Sequence, residues 1–294
     1  MIDFRLKTFI DLCDTKSYTK TAKNLSITQP AVSQHIKYLE EKYDLKLFDY
    51  IGKRLSLTKE GIDFFYNVQK LQTVSLNIEN HLKDCNEKYK TLRFGATRTV
   101  GEFYLPNYIK KFLIKYPKSD FSMIVNNTKF LLSNLNKGNI EFAIIEGHFN
   151  KAEYETYLLS EEELVVVASP LNNLTTKSNL SLEELFKETL IMREKGSGSR
   201  EIFDMYLYEN NYSPENFYHS FEVGNINIIK DLVKDNLGIS IMYKKAAQIE
   251  IDNGDLIMLD VDNMKLSHEF NFIFLKDSIF HEDYIDFYNF LINP

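Results

Sequence analysis

Apolar residues near the start of the chain recur at helical spacing. Phe4, Leu6, Phe9, Ile10 and Leu12 keep to one stripe, which predicts a first helix. Ser17 is a candidate cap for a second short helix carrying Ala22 and Leu25. Ser26, Ile27 and Thr28 break the pattern. Pro30 then suits the first turn of a third helix, where its missing N–H would be unpaired anyway, and Thr28 can cap it. Val32, Ile36 and Leu39 follow at i, i+4 and i+7, so one face is buried. Ser33, Gln34 and Lys37 point the other way. Extended runs at Lys46–Phe48 and Leu55–Leu57 flank Ile51, Gly52 and Lys53, which read as a hairpin. From Thr58 to about Lys88 there is no proline. Ile62, Phe65, Val68, Leu71, Ser75, Ile78 and Leu82 recur every three or four residues. A helix of about 30 residues is about 45 Å long, so it is expected to link and dimerise.

The remainder alternates strand and helix patterns. Strands are predicted at Leu92–Ala96, Phe121–Val125, Phe142–Ile145, Leu164–Ala168, Leu190–Met192, Ile239–Met242, Leu256–Leu259 and Phe270–Phe274. Helical runs fall at 101–116, 129–137, 199–210, 225–236 and 280–292. That order predicts doubly wound α/β sheets, and the length suits two lobes. Asp260 and Asp262, around Val261, read as part of an interlobe crossover.

Charge sharpens this division. The 294 residues carry a net charge of −7, which by itself argues against nucleic acid. Residues 1–60, however, hold 11 basic against 8 acidic side chains, a net of +3. The rest holds 24 against 34, a net of −10. A mildly basic head on an acidic body implies separate tasks. The first residues lack a signal-peptide pattern, and the longest apolar run, Leu164–Ala168, is far short of a membrane span. Cys13 and Cys85 lie far apart and suit a reducing compartment; Cys13 reads as core. A cytoplasmic protein with no membrane association is expected.

Helix, short turn and a helix with a polar outer face can be a DNA-reading unit or an ordinary solvated helix pair. As a reading unit it would place Thr28, Gln29, Pro30, Ser33, Gln34 and Lys37 near base edges. Lys53 and Arg54 at the hairpin would meet phosphates or the minor groove. The segment SYTKTAKNLSITQPAVSQHIKYLEEKYDLKLFDYIGKRLSLTKEG, residues 17–61, resembles the winged helix-turn-helix of LysR-type transcriptional regulators. The resemblance rests on Ala22 and Leu25, Thr28 to Ala31, Ser33, Leu39 and Glu40, Leu47 and Phe48, Leu57 and Thr58, and Gly61. It implies that Gln29, Pro30 and Ser33 lie against DNA. The family often has Arg where this chain has His35 and Tyr50, which implies fewer phosphate contacts.

The resemblance covers nearly the whole chain. It implies an N-terminal all-α winged helix-turn-helix (1–58) plus a long linker and dimerisation helix (59–88). A C-terminal two-lobed α/β periplasmic-binding-protein-like domain (91–294) follows, with lobe 1 at about 91–161 and 267–294 and lobe 2 at about 162–266. The implied partners are double-stranded operator DNA, RNA polymerase, a small effector and further copies of the chain, as homodimer or homotetramer.

In such folds ligands bind beyond the carboxyl ends of strands. Four loops qualify. They contain Thr97, Arg98 and Thr99; Asn127 and Thr128; Glu146; and the run REKGSGSR, Arg193–Arg200, with Ser197, Ser199 and Arg200. Hydroxyls and helix N-termini favour anions, so a small anionic effector is expected, a carboxylate, sulfite or sulfate. REKGSGSR and GATRTVGEFYLP, residues 95–106, are similar to a subgroup concerned with sulfur assimilation. Each loop also has a plainer explanation. Gly196 and Gly198 would permit positive φ, Ser and Thr would cap helices, and Arg98 and Arg200 would pair with Glu146 or other acids.

Chemistry has little support. The glycine stretch lacks the Gly-Lys-Ser/Thr ending of a phosphate loop, no serine sits in a G-x-S-x-G elbow, and the six histidines have no metal-ligand spacing. No enzyme activity, metal or cofactor is expected. The competing expectations are a cytosolic small-molecule-binding protein and an architectural DNA-binding protein without an effector.

Overall fold

The computed structural model describes residues 2–52, 54–84 and 91–293. Lys53, Cys85 and the end of the expected linker helix at 85–88 therefore lie outside the described residues. The chain divides into two compact units, Met1–Lys88 with Asn136–Asn139, and Tyr89–Leu135 with Ile140–Pro294.

The first unit begins with α1 (Phe4–Thr15), α2 (Tyr18–Asn24) and α3 (Gln29–Tyr43). Its caps are local and come from the expected residues. The Ser17 side chain accepts from Lys20 N, and the Thr28 side chain accepts from Ala31 N with Pro30 in the first turn. Phe9, Leu12, Cys13, Val32, Ile36 and Leu39 close one core. Burial pushes the Cys13 thiol well above its ordinary value, which leaves it an unreactive packing group. The hairpin consists of β1 (Phe48–Ile51) and β2 (Arg54–Leu57), paired antiparallel from Phe48–Leu57 to Ile51–Arg54. Its first strand starts two residues later than expected. Glu40 explains the shift, because its carboxylate accepts from Leu47 N (2.8 Å) and Phe48 N (3.5 Å), holding Lys46 and Leu47 as a connector. The long helix α4 (Lys59–Asp84) buries Val68 in the same core and exposes Ile62, Tyr66, Leu71 and Leu82.

The second unit starts with β3 (Thr91–Ala96), then a π-helical turn at Val100–Tyr104 and α5 (Pro106–Lys115). β4 (Asp120–Val125), α6 (Thr128–Asn136) and β5 (Phe142–Ile145) follow. The strand β6 runs unbroken from Tyr154 to Ala168, α7 spans Leu182–Leu185, and β7 spans Thr189–Met192. Next come α8 (Gly198–Glu209), β8 (His219–Glu222), α9 (Ile226–Lys234) and β9 (Ser240–Tyr243). The chain closes with α10 (Lys244–Asn253), β10 (Ile257–Leu259), β11 (Leu266–Leu275) and α11 (His281–Ile292). β3 pairs parallel with β4 and β5, and β7 pairs parallel with β8. β11 pairs antiparallel with Tyr154–Leu164 of β6, and the end of β6 pairs with β9 and β10.

Those two long strands join the lobes, and this corrects one expectation. Asp260 and Asp262 do not lie in the crossover; they border Val261, which bridges Leu180 beside β10. The start of β6 at Tyr154 escapes a pattern search because residues 160–163 read Ser-Glu-Glu-Glu. Pairing with β11 satisfies that backbone all the same. Stacked rings fill the core under β3 and β5, with Phe94 and Phe142 centroids 5.1 Å apart and Phe142 and Phe272 4.8 Å apart.

Candidate functional site

On the first unit, α3 turns Val32, Ile36 and Leu39 inward and leaves Gln29, Pro30, Gln34 and Lys37 exposed, with Ser33 half-buried. Thr28 is exposed and spends its hydroxyl on the cap. The Ser33 hydroxyl donates to Gln29 O at 3.3 Å, and Lys37 reaches Glu41 at 3.5 Å on the open surface. An exposed pair of this kind is worth little and leaves Lys37 available to a partner. Arg54 is exposed at the hairpin beside Gly52, whose φ of +65° suits the turn. Behind the exposed face, the Thr8 hydroxyl and His35 Nδ1 lie 2.9 Å apart, tying α1 to α3. His35 thus braces the helix pair.

On the second unit, the four expected loops lie beyond the carboxyl ends of β3, β4, β5 and β7. Thr97 N donates to Ile144 O, which brings the β3 loop beside the end of β5. The next residue after β5 is Glu146, only 2% exposed. Its Oε1 accepts from the Thr99 hydroxyl at 2.9 Å, and its backbone carbonyl accepts from the Thr128 hydroxyl at 2.8 Å. Burial pushes the Glu146 carboxyl up to about 7, against the opposing pulls of the Thr99 hydroxyl and the Arg193 charge. Asn127 acts locally, its Oδ1 accepting from Phe130 N in the first turn of α6.

The two arginines pair, though with acids other than Glu146. Arg98 meets Glu194 at 3.6 Å and donates to Gly224 O. Arg200 binds Glu222 at 2.7 Å, Asp204 at 3.3 Å and Arg193 O at 2.8 Å, so it braces the loop. Ser199 is buried in the first turn of α8.

Glycine roles also separate. Gly196 has φ +89° and open space around it. Gly198 has no positive φ. It is needed because a Cβ there would come within 3.0 Å of Glu146 Cγ and of the Gly147 backbone. Gly147 and Gly198 thus let the loop after β5 and the start of α8 touch backbone to backbone.

Five buried polar atoms on the loops after β3, β5 and β7 and at the end of β9 have no hydrogen-bond partner: Thr97 Oγ1, Glu146 Oε2, Arg193 Nη1, Ser197 Oγ and the Tyr243 hydroxyl. Ser197 occupies the cap position of α8 but its hydroxyl makes no cap bond. Arg193 spends its Nε and Nη2 on Glu194, at 2.8 and 3.2 Å, and keeps Nη1 spare. Buried orphans of this kind are rare in native proteins and call for an explanation. Arg193 and Tyr243 were not among the expected contact residues. Arg193 had a signal, as the first residue after a predicted strand; Tyr243 had none, being one aromatic at a strand end.

Among the described residues no helix is long and apolar enough to cross a membrane, and no three His, Cys, Asp or Glu side chains could hold a metal ion.

Residues 4–62 match the family profile of bacterial regulatory helix-turn-helix proteins of the lysR family, and residues 86–292 match the LysR substrate binding domain. The HTH-type transcriptional regulator CysL of Bacillus subtilis (strain 168) is 26% identical over 91% of this chain and 89% of its own. The OxyR C206 mutant of Corynebacterium glutamicum superposes with a TM-score of 0.63 at 19% identity, covering 99% of this chain and 90% of that one. The Synechocystis PCC6803 CcmR regulatory domain in complex with 2-PG superposes with a TM-score of 0.61 at 22% identity, covering 69% and 96%. With the exposed face of α3, the two-lobed body and both profile matches, this chain belongs to the LysR-type transcriptional regulators, ligand-responsive proteins with a helix-turn-helix DNA-binding domain and an effector-binding domain.

Proposed function

We propose that residues 1–58 read operator DNA, that residues 59–88 link and dimerise, and that residues 91–294 respond to a small anionic effector. The effector would be held between a lobe at about 91–161 and 267–294 and another at about 162–266. The observation that carries the effector reading is the set of unpaired buried polar atoms at the strand ends: Thr97 after β3, Glu146 after β5, Arg193 and Ser197 after β7, and Tyr243 at the end of β9. Ser197 holds the cap position of α8 and Glu146 packs against Gly198 in its first turn, where free N–H groups and the positive dipole end favour an anion. An Arg193 N–H and two hydroxyls add donors. The remaining candidates, Arg98, Thr99, Asn127, Thr128, Ser199 and Arg200, form the supporting frame. A carboxylate, sulfite or sulfate fits this chemistry, and a structure of the same fold in complex with 2-PG favours a small ligand.

For DNA, Gln29, Ser33, Gln34 and Lys37 face base edges, Pro30 and Thr28 set the approach of α3, and Lys53 and Arg54 meet phosphate. Exposed Ile62, Leu71 and Leu82 on α4 support pairing with a second copy, in a homodimer or homotetramer. We read the chain as cytoplasmic and non-catalytic, acting on transcription through RNA polymerase.

The test is a double substitution at unpaired hydroxyls, Thr97→Val with Ser197→Ala. Calorimetry with sulfate, sulfite and short carboxylates should show binding to the wild type and none to the variant, while binding to DNA selected by the wild type is unchanged. Equal binding of the same anion by both proteins would move the effector site elsewhere.

A further inference from the structure

A buried carboxylate is an odd lining for an anion site. Glu146 Oε1 is already satisfied by the Thr99 hydroxyl, and Oε2 is sealed from water with nothing to accept from. The groups packed around Glu146 sharpen the point. Thr99 comes from the loop after β3, Arg193 and Glu194 from the end of β7, Gly198 from the start of α8, and Tyr243 from the end of β9. Arg193 and Arg98 share Glu194, so the ring of charge is close to balanced before any ligand arrives. Glu146 in its ionised form would repel an anion entering beside it, with little water to screen the two charges. With a proton on either partner, Oε2 and the anion instead share one hydrogen bond, of the strong charge-assisted kind.

We propose that this cleft takes a small oxyanion together with one proton, held between the anion and Oε2 of Glu146, so that Glu146 selects oxyanions able to carry that proton (phosphate monoesters, sulfite, carboxylic acids) over sulfate. The proposal rests on the anionic-effector reading above and adds a ligand class to it. Three features are needed together and all are present. There is a buried acceptor with one oxygen vacant. A second donor fixes its orientation from the Thr99 side. Cationic and hydroxyl donors at Arg193, Ser197 and Thr97 take the anion's other oxygens. The carboxyl's raised midpoint of about 7 agrees, because the free site gives up its proton only near neutrality. Phosphate monoesters lose their second proton at about 6, so both partners titrate in the same range. Sulfate brings no proton and must draw one onto Glu146 from solvent.

The experiment is calorimetry on the full chain with inorganic phosphate and with sulfate, at pH 8, in buffers of different ionisation enthalpy. Sulfate binding should take up close to one proton and its affinity should fall about tenfold for each pH unit above 7, whereas inorganic phosphate, which at pH 8 enters with a proton of its own, should take up close to none. Phosphate should bind about tenfold or more tightly than sulfate, the discrimination expected from one hydrogen bond to a charged group. Glu146→Gln keeps the shape and the Thr99 contact but cannot titrate. It should bind both anions with no proton uptake, a flat pH profile and little preference. Ser197→Ala serves as the second variant; it should weaken both anions alike and keep the proton linkage. Sulfate binding without proton uptake in the wild type, or sulfate bound as tightly as phosphate, overturns the proposal and leaves the anion cleft standing. Absence of binding by either anion at every pH, with folding confirmed by circular dichroism, overturns both.

Discussion

Glu146 makes the stability of the effector-binding body depend on pH in a calculable way. The carboxyl is buried beneath Gly198 and its midpoint moves from 4.5 to about 7 on folding. Between those values the folded state keeps a proton that the unfolded chain has released. Stability therefore falls as pH rises through the window, is fully present below 4.5, and levels off above about 7. At about 1.4 kcal/mol per pH unit, the loss across the window is about 3 kcal/mol, most of it between pH 5 and pH 8. Glu146→Gln removes this dependence. The informative quantity is the difference in Tm between wild type and variant, since other titrating groups cancel in it. For a body of this size about 1 kcal/mol moves Tm by about 2–4 °C. Raising the pH from 5 to 8 should thus shift the difference by roughly 5–10 °C in favour of the variant, measured by differential scanning calorimetry without added anions. A difference that stays constant to within about 1 °C would mean that folded Glu146 titrates like a solvated carboxyl, and the argument from its burial would fall with it.

Five further substitutions test other parts of the structure. Gly198→Ala should destabilise the body by about 1–3 kcal/mol, because its Cβ meets backbone at 3.0 Å, whereas Gly196→Ala meets open space and should cost only the strain of its φ, about 1 kcal/mol, both read by denaturant unfolding. Glu40→Ala should cost about 1–3 kcal/mol in the DNA-binding unit by freeing Leu47 N and Phe48 N; amide exchange at those two positions would rise first, and unchanged protection would show that water replaces the carboxylate. Gln34→Ala should cost about 1–3 kcal/mol on selected DNA and little on random sequence, while Arg54→Ala should weaken both and lower the salt slope by about 0.9 in titrations across salt concentrations; equal loss on both DNAs for Gln34, or an unchanged slope for Arg54, would remove that residue from the assigned role.

What could be read in advance from the sequence follows the range of the interactions that determine it. The helices of the DNA-binding unit were legible because their signals are local. Thr28 caps Ala31 N three residues away, Pro30 sits in the same turn, and Val32, Ile36 and Leu39 repeat within one helix. β3, β4 and β5 were legible for the same reason, as short apolar runs. The first ten residues of β6 were not, because their structure comes from β11, more than a hundred residues away, and outweighs a run of three glutamates. The exposed four-residue strand β8 had no alternation to read, and α10 was missed as well.

The same distinction decides which site residues the sequence could separate from ordinary turn chemistry. A serine before a helix and a glycine beside it look alike whether they cap, turn or bind. Ser197 and Gly198 could be assigned only once the opposite loop was in place. Across the gap, Gly147 forbids a Cβ at Gly198, and no backbone N–H of α8 takes the Ser197 hydroxyl. Arg98 and Arg200, the two cations that looked best suited to an anion, are committed to Glu194 and to Glu222 with Asp204. The spare donor belongs instead to Arg193, whose planar fork has two nitrogens on Glu194 and one left over. A free valence of that kind is a property of the folded arrangement and has no counterpart in residue type or spacing. On the proposed reading, ligand specificity in this body rests on which buried groups are left unpaired, and Glu146, one of several effector contacts expected from the sequence, is the one whose unpaired oxygen would tell one oxyanion from another.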